Sequence, residues 1–325
     1  MGVPPVRCPG REPHNPRKAR SVGRVDNRAE IRAFLMSRRA KISPAQVGLP
    51  PAGQRRVPGL RRVEVAMLAG VSVEYYSRLE RGDAAGVSES VLDAIAGTLQ
   101  LDDAERRHLL DLVRTAGTTR APRRRAPAAR VRPSVQHVLD ALTGAPAIVH
   151  NGRLDHLAGN ALGRALFSPL FAMAGTPPNS ARFTFLDPHA PVFLRDWDKA
   201  ADDTVAILRA EAGRDPYDRS LSDLIGELST RSGEFRTRWA AHDVRIHATG
   251  TKRLHHPVVG DLDLSYESLP LPDQGQSLLI YVADPDTASE DALRLLASFA
   301  ATEHRSDSGE ATGAQRPERS TDHAD

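Results

Sequence analysis

The first part of the chain alternates short amphipathic stretches with polar or glycine-containing breaks, a pattern typical of a compact helical domain. Asn27 is placed to cap a first helix, and Glu30 three residues later completes a capping-box pattern ahead of an apolar stripe. The same periodicity predicts further helices at about 61–69, 73–81, 88–99 and 102–116. The sequence therefore predicts an all-α domain of five helices over residues 26–117.

The second part of the chain follows a different order, with strands at both ends and helices between them. Two short strands around an Asn-Gly turn are predicted at 147–150 and 154–157. Helices are predicted from near Asn160 and at about 190–212, 218–240 and 288–300. Alternating or continuously apolar runs predict three more strands at 244–248, 262–266 and 278–282. Strands, helices and strands again on one antiparallel sheet indicate an α+β domain of PAS type over residues 134–301.

The remaining segments lack any apolar face that a folded core would need. Residues 1–25 combine prolines with arginines, and we interpret them as a disordered basic arm. An Arg/Pro/Ala stretch over residues 118–133 is predicted to be a linker, and residues 302–325 a disordered tail. The fold class expected is thus a multidomain protein.

The composition argues against a membrane-spanning, secreted or disulfide-rich protein. No apolar run approaches the roughly 18 residues that cross a bilayer, and the arginines of the N-terminus are not followed by the apolar stretch of a secretory signal. A single cysteine, Cys8, excludes an internal disulfide framework or a thiolate metal cage within the chain. We therefore expect a cytoplasmic protein with no membrane partner.

Charge is distributed unevenly along the chain. Residues 1–132 hold 26 Lys and Arg against 13 Asp and Glu, whereas the remainder holds 18 against 28. A basic first part on an acidic remainder suggests a polyanionic partner for the first part alone. Because nearly all of the basic residues are arginine, a GC-rich genome is an alternative source of this bias.

The segment Arg61 to Gly82 has the pattern of a helix-turn-helix. Ala66 is small enough to let two short helices cross, and Gly70 suits a tight turn at positive φ. Ser72 is placed to cap the second helix by accepting from the amide of Tyr75 or Glu74. The first turns of that helix enter the major groove of DNA in this motif, and Arg62 begins the preceding helix within reach of a phosphate or base. The predicted DNA-binding residues are Arg62, Ser72, Val73, Glu74, Tyr75 and Arg78.

Alternatives remain for the segment and for its individual contacts. Two packed helices of an ordinary all-α domain would show similar small residues and glycine turns. Arg78 is suited to guanine, but a phosphate contact or an ion pair with Glu74 one turn earlier explains it equally well. Tyr75 is equally suited to contact DNA or to pack against neighbouring side chains. The loop residues Arg55 and Arg56 could bind phosphates, and exposure to solvent explains them equally well.

Several segments of the sequence also resemble those of a known protein family. RRVPGLRR followed by VAMLAGVSVEYYSRLERG is similar to the XRE, phage-repressor-like regulators, and in particular to those with a C-terminal MmyB-like ligand-binding domain. The segments VHNGRLDHLAGNALGRALF, ARFTFLDP, DWDKAADDTVAILRAEAGR, EFRTRWAAHDVR and HPVVGDLDLSYESL resemble that domain, so the resemblance spans roughly residues 27–300. Val63, Asp83 and Val87 depart from the family pattern, and because Asp83 would repel a phosphate we assign its loop no backbone contact.

The resemblance implies a lambda-repressor-like helical domain, a PAS-like ligand domain, a homodimer, a double-stranded DNA operator and control of neighbouring genes. It also implies a small-molecule effector of a lipidic, fatty-acid-like kind. We expect a repressor without a resident cofactor, although repressors and activators share this frame. Matching the family's recognition helix places DNA contacts at Arg62, Val73, Glu74, Tyr75 and Arg78.

A ligand pocket should be mainly apolar with a few fixed polar groups. An arginine beside an apolar tunnel would suit a carboxylate. Buried aromatic residues on amphipathic helices are equally explained as core, and Arg209 as the partner of a nearby acid such as Asp203 or Asp215. The candidate ligand-binding residues are Asn160, Arg182, Phe183, Trp197, Arg209, Phe235, Trp239 and His242.

Three other functions compete with a ligand sensor. A metal site among His242, His247, His255 and His256 is disfavoured, because adjacent residues of a strand face opposite sides. An enzyme is disfavoured since the sequence contains no G-x-S-x-G, G-x-G-x-x-G, phosphate loop or H-E-x-x-H. A constitutive DNA-binding protein, whose second domain serves only dimerisation or protein contact, remains the main alternative.

Overall fold

The computed structural model describes residues 27–50, 57, 59–116, 130–173, 177–241, 249–272 and 275–312, and for 303–312 it describes only the helical backbone. The predicted arm at 1–25, the linker residues 118–129 and the predicted strand 244–248 lie outside these residues, as do Arg55 and Arg56. What the sequence predicts for them stays a prediction.

The first domain is a cluster of short helices around one core. Its α-helices are α1 (Asn27–Lys41), α2 (Arg62–Leu68), α3 (Val73–Glu80), α4 (Glu89–Thr98) and α5 (Asp103–Ala116), with a 3₁₀ turn at Pro44–Val47. The predicted helices from α2 to α5 end within one residue of these bounds. Fully buried side chains from all of the α-helices and from Leu60 meet in the core, among them Ile31, Tyr76, Ile95 and Leu109.

The two side chains predicted to form a capping box at the start of α1 both contact distant residues. Asn27 donates from Nδ2 to the hydroxyl of Thr115 at the end of α5. Glu30 accepts from Nη1 of Arg209, which belongs to the second domain, at 2.6 Å. These side chains therefore contribute to tertiary contacts of α1.

The second domain places helices before, between and after the strands of one sheet. The helices are α6 (Pro133–Ala141), α7 (Ala161–Leu166), α8 (Ser168–Phe171), α9 (Ser180–Leu186), α10 (Ala190–Phe193), α11 (Trp197–Arg214), α12 (Arg219–Arg231), α13 (Gly233–Ala240) and α14 (Ala288–Thr312). The strands are β1 (Ala147–Asn151), β2 (His156–Gly159), β3 (Thr249–His256), β4 (Gly260–Leu271) and β5 (Gln276–Val282).

The sheet has the order β2-β1-β5-β4-β3 in the described residues, and every neighbouring pair is antiparallel. On one face Val149 and Leu278 pack against Val135 and Leu139 of α6. The opposite face, which carries Ile148 and Tyr281, turns toward α7 and the helices that follow it. This arrangement confirms the predicted α+β, PAS-like domain.

Several elements of this domain differ from the sequence prediction. The helix expected over 190–212 is divided into α10 and α11. Between them Leu194 leaves the helical conformation and forms an antiparallel bridge with Leu254 of β3. Helices α6 and α9 and the strand β3 were not predicted. The last helix runs on to Thr312, into the segment predicted as a disordered tail, and residues 302–312 contain no proline to break it.

Candidate DNA interface and ligand cavity

The α2–turn–α3 unit has the close crossing that the sequence predicts. Ala66 is completely buried where the two helices meet. Gly70 adopts φ 68°, the left-handed region in which a side chain is strained. The amide of Val71 donates to the carbonyl oxygen of Ala66 at 3.0 Å and closes the turn. The orientation of α3 on α2 is therefore fixed by backbone geometry as well as by packing.

The N-terminus of α3 presents a solvent-facing surface. The hydroxyl of Ser72 accepts from the amide of Tyr75 at 3.0 Å, which is one of the two capping partners expected from the sequence. Ser72, Val73 and Glu74 are exposed, while the ring of Tyr75 is half-buried. We call α3 the recognition helix, because its first turns are the part of this motif that enters a DNA groove.

A buried carboxylate connects the recognition helix to the helices on which it packs. Glu80, at the end of the recognition helix, is 1% exposed. Its Oε2 accepts from Nε of Arg39 on α1 at 2.9 Å, and its Oε1 accepts from Nε of Arg62 on α2 at 2.8 Å. Arg62 keeps about half of its side chain exposed. Glu80 was not among the residues predicted from the sequence, although an acid among the basic residues that end the motif was a visible clue.

Arg78 lies on the exposed side of the recognition helix. Its nearest acid is Asp83, at 3.7 Å, so the ion pair with Glu74 that the sequence allowed is not the one formed. The guanidinium also lies 5.6 Å from the centre of the Tyr75 ring. Because half of the Arg78 side chain is exposed and its ion pair is long, a DNA partner can displace Asp83 at little cost.

A cavity of about 750 Å³, partly open to solvent, lies between the sheet of the second domain and its covering helices. The apolar part of its wall comes from β1, α8, α9, α10 and β5 and from Phe167 between α7 and α8, through residues that also include Ile148, Phe183, Phe193 and Leu279. Polar side chains from β3, β4 and β5 also line it, among them Lys252, Ser268 and Ser277. The size and the mainly apolar wall are those of a small-molecule site.

His150, His156 and Lys252 are among the basic side chains that line this cavity. Burial lowers the pKa of His150, with Lys252 lowering it further. Burial lowers the pKa of His156 to about 3, helped by His150 and Lys252. Burial also lowers the pKa of Lys252, against the carboxylate of Asp203 in the same cavity wall, which raises it. An anionic group placed here would relieve the cost of charging Lys252.

The structure places one of the candidate ligand-binding residues, Phe183, in the cavity wall. Asn160 instead caps α7 and holds the backbone of the β1 region, since its Oδ1 accepts from the amides of Gly163 and Ala147 at 2.7 and 3.0 Å. Arg182 donates to Glu227 at 2.9 Å. His242 lies outside the described residues.

The aromatic candidates outside the wall belong to packed layers of the domain. Trp197 donates from Nε1 to the carbonyl oxygen of Thr184 at 2.9 Å. Phe235 stacks on Trp239, with ring centres 5.5 Å apart. None of these three rings lines the cavity, so they have the core role that the sequence left open as their alternative.

Arg209 is 1% exposed and lies between the two domains. It bonds Glu30 of α1, and its guanidinium lies 4.2 Å from the centre of the Trp239 ring. The prediction that its partner is Asp203 or Asp215 is wrong, because the side chain points out of the sheet domain toward the helical one. It is therefore a residue of the domain interface.

Two protein-family models match the chain, one for each domain. A helix-turn-helix domain model matches residues 30–109, and the model of the MmyB-like transcription regulator ligand binding domain matches residues 131–296. The chain belongs to the MmyB-like transcription regulators. This confirms the resemblance seen in its sequence and identifies the regulator's two domains as a DNA-binding domain and a ligand-binding domain. No curated protein matched the regulator in a further comparison.

Neither a membrane span nor a cluster of metal ligands is found among the described residues. None of the helices they form is long and apolar enough to cross a bilayer. They contain no group of three or more His, Cys, Asp or Glu arranged to hold a metal ion. His255 is exposed and bonds Asp261 at 2.6 Å, whereas His256 is buried, so these neighbours face opposite sides of β3 as expected.

Proposed function

We propose that the regulator binds a specific double-stranded DNA operator through α3 and binds a small apolar acid in the cavity of its second domain. The observation that carries the proposal is the joint presence of an exposed, rigidly supported recognition helix and a mainly apolar cavity with the cationic side chain of Lys252 in its wall. We propose no resident cofactor and no catalytic role.

The DNA contacts are proposed at the exposed end of the recognition helix and beside it. Val73, Glu74 and Tyr75 lie in its first turn, and Arg78 lies one turn further on the same side. Arg62 is held beside them by Glu80, where it can meet a phosphate or a neighbouring base. Arginine suits guanine because its planar fork matches two acceptors on the major-groove edge.

The ligand class follows from the chemistry of the cavity wall. Its volume of about 750 Å³ lies within the roughly 300–1,000 Å³ of typical small-molecule sites. The aromatic and aliphatic part of the wall suits a hydrocarbon chain or ring. Lys252 suits a carboxylate, which would form a charge-assisted hydrogen bond in a site of low dielectric constant. A fatty acid has both parts.

Repression is the direction of control we propose, because a protein bound over a promoter excludes polymerase without needing any further contact. A reporter gene placed behind the regulator's own upstream region tests it. Deleting the regulator should raise expression, and lowered expression would show activation instead.

One experiment tests the two binding activities together. Footprinting of the upstream intergenic region with the full chain should reveal an inverted repeat with half-sites one helical turn, or a multiple, apart. A thermal-shift screen of the same protein against fatty acids and aromatic metabolites should find a stabilising acid. No preferred DNA site would contradict the first activity, and no stabilising compound the second.

A constitutive DNA-binding homodimer is the alternative function. It is supported by the exposed pair Leu295 and Phe299, which lie four residues apart on one side of α14 and suit a contact with a second copy. A homodimer is also part of our main proposal, so dimerisation alone does not separate the two. The alternative predicts that no ligand changes the stability of the protein or its affinity for the operator.

A further inference from the structure

The wall of the cavity is not made by the ligand-binding domain alone. Arg107, His108 and Asp111 of α5 also line it. This helix is the last one of the DNA-binding domain, and it lies outside residues 131–296, the part that matches the ligand-binding family. Burial raises the pKa of Asp111, against Arg114, Arg214 and Arg107, which lower it.

The two domains meet where α5 packs on α11. The hydroxyl of Thr115 on α5 lies 3.2 Å from the carbonyl oxygen of Gly213, while its shorter hydrogen bond, at 2.6 Å, goes to the carbonyl oxygen of Asp111 in its own helix. A Cβ atom at Gly213 would lie 2.8 Å from the ring of His108 and 3.4 Å from Leu112, so only glycine allows this approach. The His108 ring cannot move aside easily, because it is buried and packs edge-on against Phe34, with ring centres 5.2 Å apart.

The ion pair between Arg209 and Glu30 closes the same interface at its other end. Arg209 follows the cavity-lining residue Ile207 on α11, while Glu30 belongs to α1, which packs on α5. The cavity is thus bordered by α11 and α5, α11 packs on α5, and α5 packs on α1. A displacement of α5 from α11 would open the cavity wall and break this ion pair.

We propose that the ligand site is a composite of both domains, and that an occupant of the cavity tightens the docking of α5 on α11. The inference rests on the proposed function in one respect, namely that an effector occupies the cavity. An occupant that touches both walls gains contacts only when the domains are docked, so it stabilises the docked state. By linkage, docking strengthens ligand binding by the same factor.

Since the natural effector is unidentified, the test fills the cavity with an attached probe. Cys8, the only cysteine of the chain, is replaced by serine, and Ser277→Cys places a thiol in the cavity wall on β5. Hexyl methanethiosulfonate then attaches an alkyl chain through a mixed disulfide. Amide hydrogen exchange of α5 is measured in the full protein before and after attachment, with the amides of α4 as an internal reference.

The docking variant is Gly213→Ala, which inserts a methyl group between α11 and α5. Its matched control is Gly226→Ala on α12, where an added Cβ meets nothing within 4 Å. Both substitutions favour a helix in isolation, so a difference between them reports the interface. Should Gly213→Ala fail to fold, Glu30→Gln weakens the interface from the other domain, with Glu89→Gln on the exposed side of α4 as its control.

The attached chain should slow exchange of the α5 amides by about fivefold or more in the Gly226→Ala protein. It should have no such effect in the Gly213→Ala protein. Unchanged α5 exchange despite complete attachment would overturn the proposal, as would equal responses of the two glycine variants.

A second measurement separates this inference from the proposed function. Dodecanoate should bind the Gly213→Ala protein at least about fivefold more weakly than the Gly226→Ala protein, and equal affinities would again overturn the coupling. If dodecanoate binds neither protein, the proposed ligand class fails, while the attached chain still decides whether α5 responds to an occupied cavity.

Discussion

The Nε of Arg62 donates to Oε1 of Glu80 at 2.8 Å, so a side chain expected to contact DNA is held by the last residue of the recognition helix. Arg39 donates to the other oxygen of the same carboxylate. Glu80 thereby links α1, α2 and α3, and fixes the angle at which the recognition helix is presented.

Replacing Glu80 should therefore damage stability more than an ordinary surface change. Glu80→Ala leaves two arginines around an empty buried site and should lower the free energy of unfolding by about 3 kcal/mol. Urea unfolding of the full protein measures this loss. Glu89→Ala, which removes an exposed carboxylate that pairs with Arg114, should cost less than about 0.5 kcal/mol. Equal losses in the two variants would contradict the supporting role of Glu80.

The role of Arg78 in selecting an operator is tested by its removal. Arg78→Ala should weaken operator binding by about 1–3 kcal/mol and weaken binding to random DNA much less. Fluorescence anisotropy with both DNAs at one fixed salt concentration measures the difference. Arg106→Ala is the control, because Arg106 is equally exposed and likewise pairs with one exposed acid. Equal losses on operator and random DNA would show a phosphate contact instead of a base contact.

Lys252 should decide whether the cavity distinguishes an acid from an alcohol. Lys252→Met should weaken dodecanoate binding by about 2 kcal/mol, the typical value of a hydrogen bond to a charged group. Binding of dodecanol should change little, since the apolar wall is untouched. Lys41→Met, at an exposed position of α1, controls for the change in net charge. A loss that is the same for acid and alcohol would place the carboxylate elsewhere.

The histidines of the cavity should make the fold sensitive to acid. Burial holds the pKa of His156 near 3 in the folded protein, against 6.5 for an unperturbed histidine. Between these values the unfolded chain binds a proton that the folded chain excludes, so stability falls as the pH falls below about 6.5.

His156→Asn removes this proton uptake. The wild-type protein should lose about 1.4 kcal/mol more stability than this variant between pH 7.5 and pH 5.5, by urea unfolding. His189→Asn, at an exposed position, should behave like the wild type. A variant that loses as much stability as the wild type would show that His156 takes up a proton in the folded state.

Local rules explain why the helix-turn-helix could be predicted so closely. Ser72 caps its helix through a residue three positions away, and Gly70 takes its φ from the turn that contains it. Both depend on neighbours along the chain, so sequence alone is sufficient to place them. The helix bounds of the first domain follow for the same reason.

The second domain shows where such rules fail. Strand β3 runs Thr-Gly-Thr-Lys-Arg-Leu-His-His, and only Leu254 among these is a buried apolar side chain. Its partner β4 and the bridge from Leu194 hold it in the sheet, and neither is visible as an alternation of apolar residues. The strand was missed because pairing, and not hydrophobicity, defines it.

The ligand residues were harder still, because a buried aromatic ring looks the same in a sequence whether it faces a cavity or a core. Phe183 and Phe235 were equally good candidates, but only Phe183 lines the cavity. Arg209 finds its partner 179 residues away in the other domain. Neither fact can be obtained from spacing, since both depend on how separate elements pack.

Helix α5 belongs to two interiors at once. Leu109 and Leu112 fill the core of the DNA-binding domain, while His108 and Asp111 border the cavity of its neighbour. A substitution on α5 must therefore fit both environments. A change in the cavity wall that accommodates a new effector also alters the core on which the recognition helix packs. When ligand-binding domains are exchanged between such regulators, the chimera should consequently be functional only if the exchanged segment includes α5.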